Sequence, residues 1–189
     1  VQMGTDPRPS QWAINQQLDE ARNSLGYPPF KHPQQSVCAA ALSSDDDIIF
    51  VAPCGFGKSA CFTIPGVISG GMTLVIVPFN AQIESQLESL RRMEPIQVEK
   101  LLREDGVAGN YSVEDMPAAS RLQYLAENFS KGTNPKPMII FGTVELVTKP
   151  LSLAALSSLS SQGILKRIIV DEFDVVEESN ETFRKAYVD

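Results

Sequence analysis

The segment that most restricts this chain is Ala52-Pro53-Cys54-Gly55-Phe56-Gly57-Lys58-Ser59, which follows the apolar run Ile48-Ile49-Phe50-Val51 and leads into Ala60-Cys61-Phe62. A buried strand, a glycine turn closing on Lys-Ser and then a helix is the arrangement that grips a nucleoside triphosphate. Glycines let backbone N–H groups turn inward around phosphate oxygens. The N-terminus of the following helix adds its positive dipole end, and the lysine reaches the β- and γ-phosphates. Ala52 stands where the usual pattern has its first glycine, so the string is a relaxed match, with an ordinary Gly-rich turn as the competing reading. The residues committed to phosphate are Cys54, Gly55, Phe56, Gly57, Lys58 and Ser59, with the Ser59 hydroxyl also a ligand of Mg²⁺.

A phosphate loop needs a carboxylate at the end of another strand to hold Mg²⁺ and polarise the attacking water. Ile168-Ile169-Val170-Asp171-Glu172 supplies one: three β-branched residues, then two acids. In a parallel sheet the C-terminal edge of the strands is also where a phosphate loop opens. Asp171 is assigned to Mg²⁺, in part through water, and Glu172 to orienting and deprotonating the lytic water. Two acids after a strand are otherwise a solvated turn.

The rest of the pattern is that of a parallel α/β sheet flanked by helices. Ile48–Val51, Thr73–Val77, Met138–Phe141 and Ile164–Val170 are short, mostly unalternating apolar runs, expected of strands covered on both faces. A further short strand fits Ile96–Val98. Helical spacing of Ile14, Leu18, Ala21 and Leu25 predicts a helix over Ser10–Leu25, capped by Ser10 and stopped by Gly26. A second helix is expected over Pro33–Leu42. Others are expected around Ile83-Leu87-Leu90, around Leu122-Leu125-Phe129 and over Leu151–Leu159, with loops over Glu104–Pro117 and Gly132–Pro137.

At 189 residues the chain suits one well-buried domain better than two, and 43% hydrophobic with 21% charged residues is ordinary for a globular protein. A formal net charge of −7 argues against a broad basic surface, so any nucleic-acid contact must be local. Cys38, Cys54 and Cys61 form no Cys-x-x-Cys pair, and the one histidine, His32, sits in a turn between Lys31 and Pro33. Reduced, intracellular thiols and no zinc site are the expectation. No apolar stretch reaches the roughly 18 residues of a membrane span, and no secretory leader opens the sequence.

Several further segments resemble, in order, the motifs of the RecQ family of ATP-dependent DNA helicases. Gly26-Tyr27-Pro28-Pro29-Phe30-Lys31-His32-Pro33-Gln34 is similar to that family's motif 0, G-Y-x-x-F-R-x-x-Q. Leu74-Val75-Ile76-Val77-Pro78-Phe79-Asn80, followed by Gln82 and Gln86, resembles motif Ia. Phe141-Gly142-Thr143-Val144-Glu145 resembles the T-P-E motif, and Phe183-Arg184-Lys185-Ala186-Tyr187 the F-R-P-E-Y segment. The resemblance implies a RecA-like P-loop lobe over residues 26–189, preceded by a helical extension over 1–25. It implies ATP and Mg²⁺ as cofactors, DNA as partner, and a place in DNA recombination and repair, in the nucleus if the source is eukaryotic. Tyr27 and Lys31 are thereby assigned to the adenine face and Gln34 to its Hoogsteen edge; Pro78, Asn80, Gln86 and Thr143 are assigned to nucleic acid.

The departures have consequences. The family's D-E-A-H box is Asp171-Glu172-Phe173-Asp174 here, so a histidine linking hydrolysis to the second lobe is an aspartate. Ser179 stands at the expected aromatic of the next loop, whose sequence Val175–Thr182 has turned acidic; base stacking there is worth roughly 1–3 kcal/mol. Cys54 replaces a threonine. The sequence stops at Asp189, before the family's Ser/Thr-Ala-Thr strand, second lobe and zinc-binding region. The expectation is therefore a single incomplete lobe with a gap between the phosphate-loop strand and the acidic strand. Three functions compete: a RecQ-like helicase lobe driving 3′-to-5′ unwinding in the intact protein; a degenerate helicase-like nucleotide-binding or scaffolding domain; and an unrelated phosphate-loop kinase or GTPase, disfavoured by Tyr27 and Gln34.

Overall fold

The structure, a computed structural model, describes residues 10–78, 80–102, 112–113, 116–132 and 135–172. It divides into two compact units, Val1–Ser69 and Gly70–Asp189. Asp174, the acidic loop Val175–Thr182, the Phe183–Tyr187 segment and most of the Glu104–Pro117 loop lie outside the described residues.

The first unit is helical. Helix α1 (Gln11–Ser24) is capped by Ser10, whose Oγ accepts from the Ala13 amide at 3.3 Å, and buries Ile14 and Leu18 one turn apart. Its C-terminus closes as a Schellman motif: Tyr27 N donates to Arg22 O at 3.0 Å and Gly26 N to Asn23 O at 3.1 Å. The chain then turns into α2 (Gln34–Ser43), and α3 (Ala60–Ser69) packs against both preceding helices. The segment Ile48–Val51 corrects the expectation of a strand. It joins no ladder among the described residues, and Ile49 and Val51 are 89% and 90% exposed. An apolar run forms a strand only where a neighbour takes up its backbone N–H and C=O groups, and this unit has no other strand among the described residues.

The second unit is the expected parallel α/β sheet. Strands β1 (Met72–Val77), β2 (Gln97–Lys100), β3 (Met138–Thr143) and β4 (Leu165–Val170) run parallel in the order β2-β3-β1-β4. β1 and β3 are buried along their whole length, as central strands covered on both faces must be. Met72, Leu74 and Ile76 of β1, with Met138 and Ile140 of β3, form one core with α5 (Ala118–Lys131), the short α6 (Val144–Val147) and α7 (Pro150–Ser161). Side chains alternate across a strand, so Val75, Val77, Ile139 and Phe141 face the other way. There α4 (Asn80–Leu90) contacts β1, β2 and β3 and buries Ile83, Leu87 and Leu90 at helical spacing. Each such leucine contributes about 1.5–3 kcal/mol relative to exposure.

β4 departs from the sequence reading. Its burial alternates, with Ile168 53% and Val170 38% exposed, because among the described residues it is the edge strand and only one of its faces is covered. No helix among the described residues is long and apolar enough to cross a membrane.

Candidate nucleotide-hydrolysis site

The phosphate loop occupies the turn before α3. Gly55 and Gly57 hold φ of +74° and +95°, backbone that L side chains avoid, and a Cβ on Gly57 would lie 2.9 Å from Gln34 Nε2. The turn tightens through Phe56 N donating to Pro53 O (3.2 Å), Ala60 N to Gly57 O (3.1 Å) and Cys61 N to Lys58 O (2.9 Å). Lys58 Nζ donates to Ala52 O at 3.3 Å, so its ammonium is held against the loop's own backbone. Ser59 is half-buried and Cys54 exposed.

Residues 27–34 are joined to this loop physically as well as in sequence. Gln34, 5% exposed, accepts from Lys31 N at 2.7 Å and donates through Nε2 to Phe56 O and Gly57 O, both at 3.1 Å. The Lys31 ammonium lies 5.3 Å from the centroid of the Phe56 ring, which Phe50 meets edge-on at 5.9 Å. Tyr27 is half-buried, and burial raises its phenol above the ordinary value, so it is neutral near pH 7. Behind the loop, Cys38 Sγ donates to Ala60 O at 4.0 Å, with the Cys61 thiol in the first turn of α3 as its interacting neighbour. That contact pushes Cys38 up, and Cys61, taking the bond, is lowered.

In the second unit the acidic pair extends β4. Asp171 N donates to Ile76 O at 2.9 Å, continuing the ladder with β1. Glu172 then takes φ +53°, the one non-glycine positive φ among the described residues. Left-handed backbone costs an ordinary residue roughly 1–2 kcal/mol and clusters at functional sites. Its effect is to break strand alternation, so that both carboxylates meet one helix. Gln82 Nε2 donates to Glu172 Oε2 at 2.6 Å and Gln86 Nε2 to Asp171 Oδ2 at 3.0 Å, both from α4. Gln86, a nucleic-acid candidate from sequence, thus also meets an acid, as does Gln82. The signal that points to both was their i, i+4 spacing, which puts them on one face of α4.

The remaining nucleic-acid candidates fall at one edge of this sheet. Val77 pairs with Thr143 and Ile76 with Val170, so the C-terminal ends of β1, β3 and β4 are flush. Pro78 follows β1 and is buried; Thr143 ends β3, 5% exposed; Asn80 opens α4.

No cluster of three or more metal-ligating side chains occurs among the described residues. Mg²⁺ keeps several waters and takes one or two carboxylates with substrate phosphates, so a pair of acids is enough to bind it. Two buried acceptors beside the acids, Gln82 Oε1 and Gln86 Oε1, have no partner among the described residues. Unpartnered acceptors next to two carboxylates fit the outward-pointing protons of a hydrated cation.

The fold and these two motifs define a phosphate-loop domain of helicase type. The DEAD/DEAH box helicase family model matches residues 31–188, and the chain belongs to that family. Within it the chain is RecQ-like. It is 29% identical over 165 residues to the rat ATP-dependent DNA helicase Q5, covering 87% of this chain and 16% of that protein. It is 27% identical over 176 residues to the Caenorhabditis elegans RecQ-like DNA helicase blm-1, covering 92% and 16% respectively. Over 81 residues it is 43% identical to the ATP-dependent DNA helicase RecQ of Synechocystis, covering 42% of this chain and 17% of that one. The chain thus spans under a fifth of the length of these relatives.

Proposed function

We propose that this chain is the ATP-binding lobe of a RecQ-like DNA helicase, which in the intact protein couples ATP hydrolysis to 3′-to-5′ strand unwinding. The observation that carries the reading is the bonding of Gln34 to Phe56 O and Gly57 O. It makes the adenine-reading segment and the phosphate loop one hydrogen-bonded assembly, which a kinase or GTPase loop does not require.

ATP enters with adenine against Tyr27 and Lys31. Both Nε2 protons of Gln34 are in use, so bonding to the adenine edge exchanges them away from the loop carbonyls and couples base recognition to the loop. Lys58 leaves Ala52 O for the β- and γ-phosphates. Ser59 in the first unit and Asp171 in the second are each a residue that would bind Mg²⁺, which would neutralise phosphate charge. Glu172 orients the attacking water and takes its proton. Pro78, Asn80 and Thr143, at the flush strand ends, mark the edge offered to DNA.

The test is ATPase activity of the full-length protein with and without single-stranded DNA. Lys58→Ala is expected to lower turnover about 100-fold or more, in line with losing a group that stabilises developing charge. Unchanged turnover in that variant refutes the reading. The net charge of −7 favours a second reading, a helicase-like nucleotide-binding domain without unwinding. ATP binding with no response to DNA selects it.

A further inference from the structure

The hydrogen bonds from α4 to the acids are more than tertiary packing. Two glutamines one helical turn apart each place an amide N–H₂ on a different carboxylate, at 2.6 and 3.0 Å. Glu172 adopts left-handed backbone, which sets its side chain toward the same helix as that of Asp171. A helix held to a strand end for stability alone buries apolar side chains, as α4 does through Ile83, Leu87 and Leu90 on its other positions. Gln82 and Gln86 instead carry buried Oε1 atoms with no partner among the described residues. An unsatisfied buried acceptor is costly, so two of them kept beside the acids are places for a donor that arrives with the cation.

We propose that Gln82 and Gln86 are positioning residues of the hydrolytic site: their amide N–H₂ groups fix Glu172 and Asp171, and their Oε1 atoms accept from the waters that accompany the divalent cation. The proposal rests on the ATPase reading above and adds to it the groups that determine where the cation's water shell sits. It also gives α4 a second role. The helix starts at Asn80, at the edge assigned to DNA, so one rigid element joins that edge to the two carboxylates.

The experiment uses the full-length protein with Gln82→Met and Gln86→Met, which keep side-chain length and lose both polar ends. Mn²⁺ replaces Mg²⁺, and its binding with a non-hydrolysable ATP analogue is followed by electron paramagnetic resonance. The expected results are a several-fold weaker Mn²⁺ affinity, an altered Mn²⁺ spectrum, and a fall in kcat at saturating ATP. Nucleotide affinity measured in EDTA is expected to stay at the wild-type value, since the phosphate loop is untouched. Gln86→Asn, which keeps the amide on a shorter arm, is expected to recover part of the metal affinity, and it carries the test if a methionine variant does not fold. Wild-type Mn²⁺ affinity and spectrum in the methionine variants overturn the proposal. Failure of the ATPase reading itself looks different: turnover in Lys58→Ala is then the same as in wild type.

Discussion

Gln34 offers the sharpest test of the assembly around the phosphate loop. Its side chain is 5% exposed and makes three hydrogen bonds, to Lys31 N at 2.7 Å and to Phe56 O and Gly57 O at 3.1 Å. Truncation in Gln34→Ala removes all three. Each is worth about 0.5–1.5 kcal/mol net. Lys31 and Gly57 are exposed and Phe56 half-exposed, so water reaches the freed groups and the values fall in the middle of that range rather than above it. The expected loss is about 2–3 kcal/mol. Gln34→Glu gives a second, independent reading. A carboxylate still accepts from Lys31 N but sets anionic oxygen against two carbonyl oxygens. At pH 8 it is expected to be less stable than Gln34→Ala. Its folded-state pKa is raised, so the added penalty is absent at acidity below the ordinary carboxylate range and complete once pH exceeds the raised value. Trp12 is 74% exposed and a poor fluorescence reporter. The assay is therefore urea unfolding followed by far-ultraviolet circular dichroism, with hydrogen exchange over residues 31–61 locating the loss. A change under about 0.5 kcal/mol in Gln34→Ala, or a glutamate variant as stable as wild type at pH 8, refutes the reasoning.

Two other sites give predictions of different kinds. Arg121 on α5 pairs with Glu99 of β2 at 2.5 Å and donates to Val113 O at 2.8 Å, with its own side chain 8% exposed and that of Glu99 20% exposed. Arg121→Met leaves Glu99 partly solvated, so thermal or urea denaturation should show a loss of about 1–3 kcal/mol, below the 3–5 of a fully buried pair. Recovery in the double variant Arg121→Met with Glu99→Gln is expected, and its failure would place the cost in packing instead. Cys61 has its pKa lowered by the bond from Cys38, so more of it is thiolate at a given pH than for a free thiol. Its alkylation by iodoacetamide, read by peptide mass spectrometry, should therefore set in at lower pH than in Cys38→Ala. An unchanged pH midpoint refutes the contact.

Local chemistry made much of this molecule legible in advance. Period-3.6 apolar spacing marks α1, α4 and α5, and short unalternating apolar runs mark the central strands, because those elements bury one face or both whatever surrounds them. Ser10 and Gly26 bracket α1 through caps built from neighbouring backbone. Ile48–Val51 forms no strand, and β4 is a strand with alternating rather than complete burial, for one reason: a strand's pairing and burial belong to its neighbours. Four β-branched or aromatic residues carry the same signal whether or not a ladder exists for them. The carboxylates of Asp171 and Glu172 were visible as two acids after an apolar run, and Gln82 and Gln86 as residues after a strand.

The sequence by itself determined the class of chemistry: a glycine turn ending in Lys58-Ser59, an acidic strand end and a tyrosine–glutamine segment in the family's order. Those features depend on residue type and short spacing, which the chain carries in one dimension. Only the tertiary structure decided the partners. Gln34 closes on Phe56 and Gly57 from 22 and 23 residues away, and Gln82 and Gln86 reach Glu172 and Asp171 across 90 and 85. Contacts at such separations exist because helices and strands pack together within each unit, and nothing in the local sequence of either partner specifies the other.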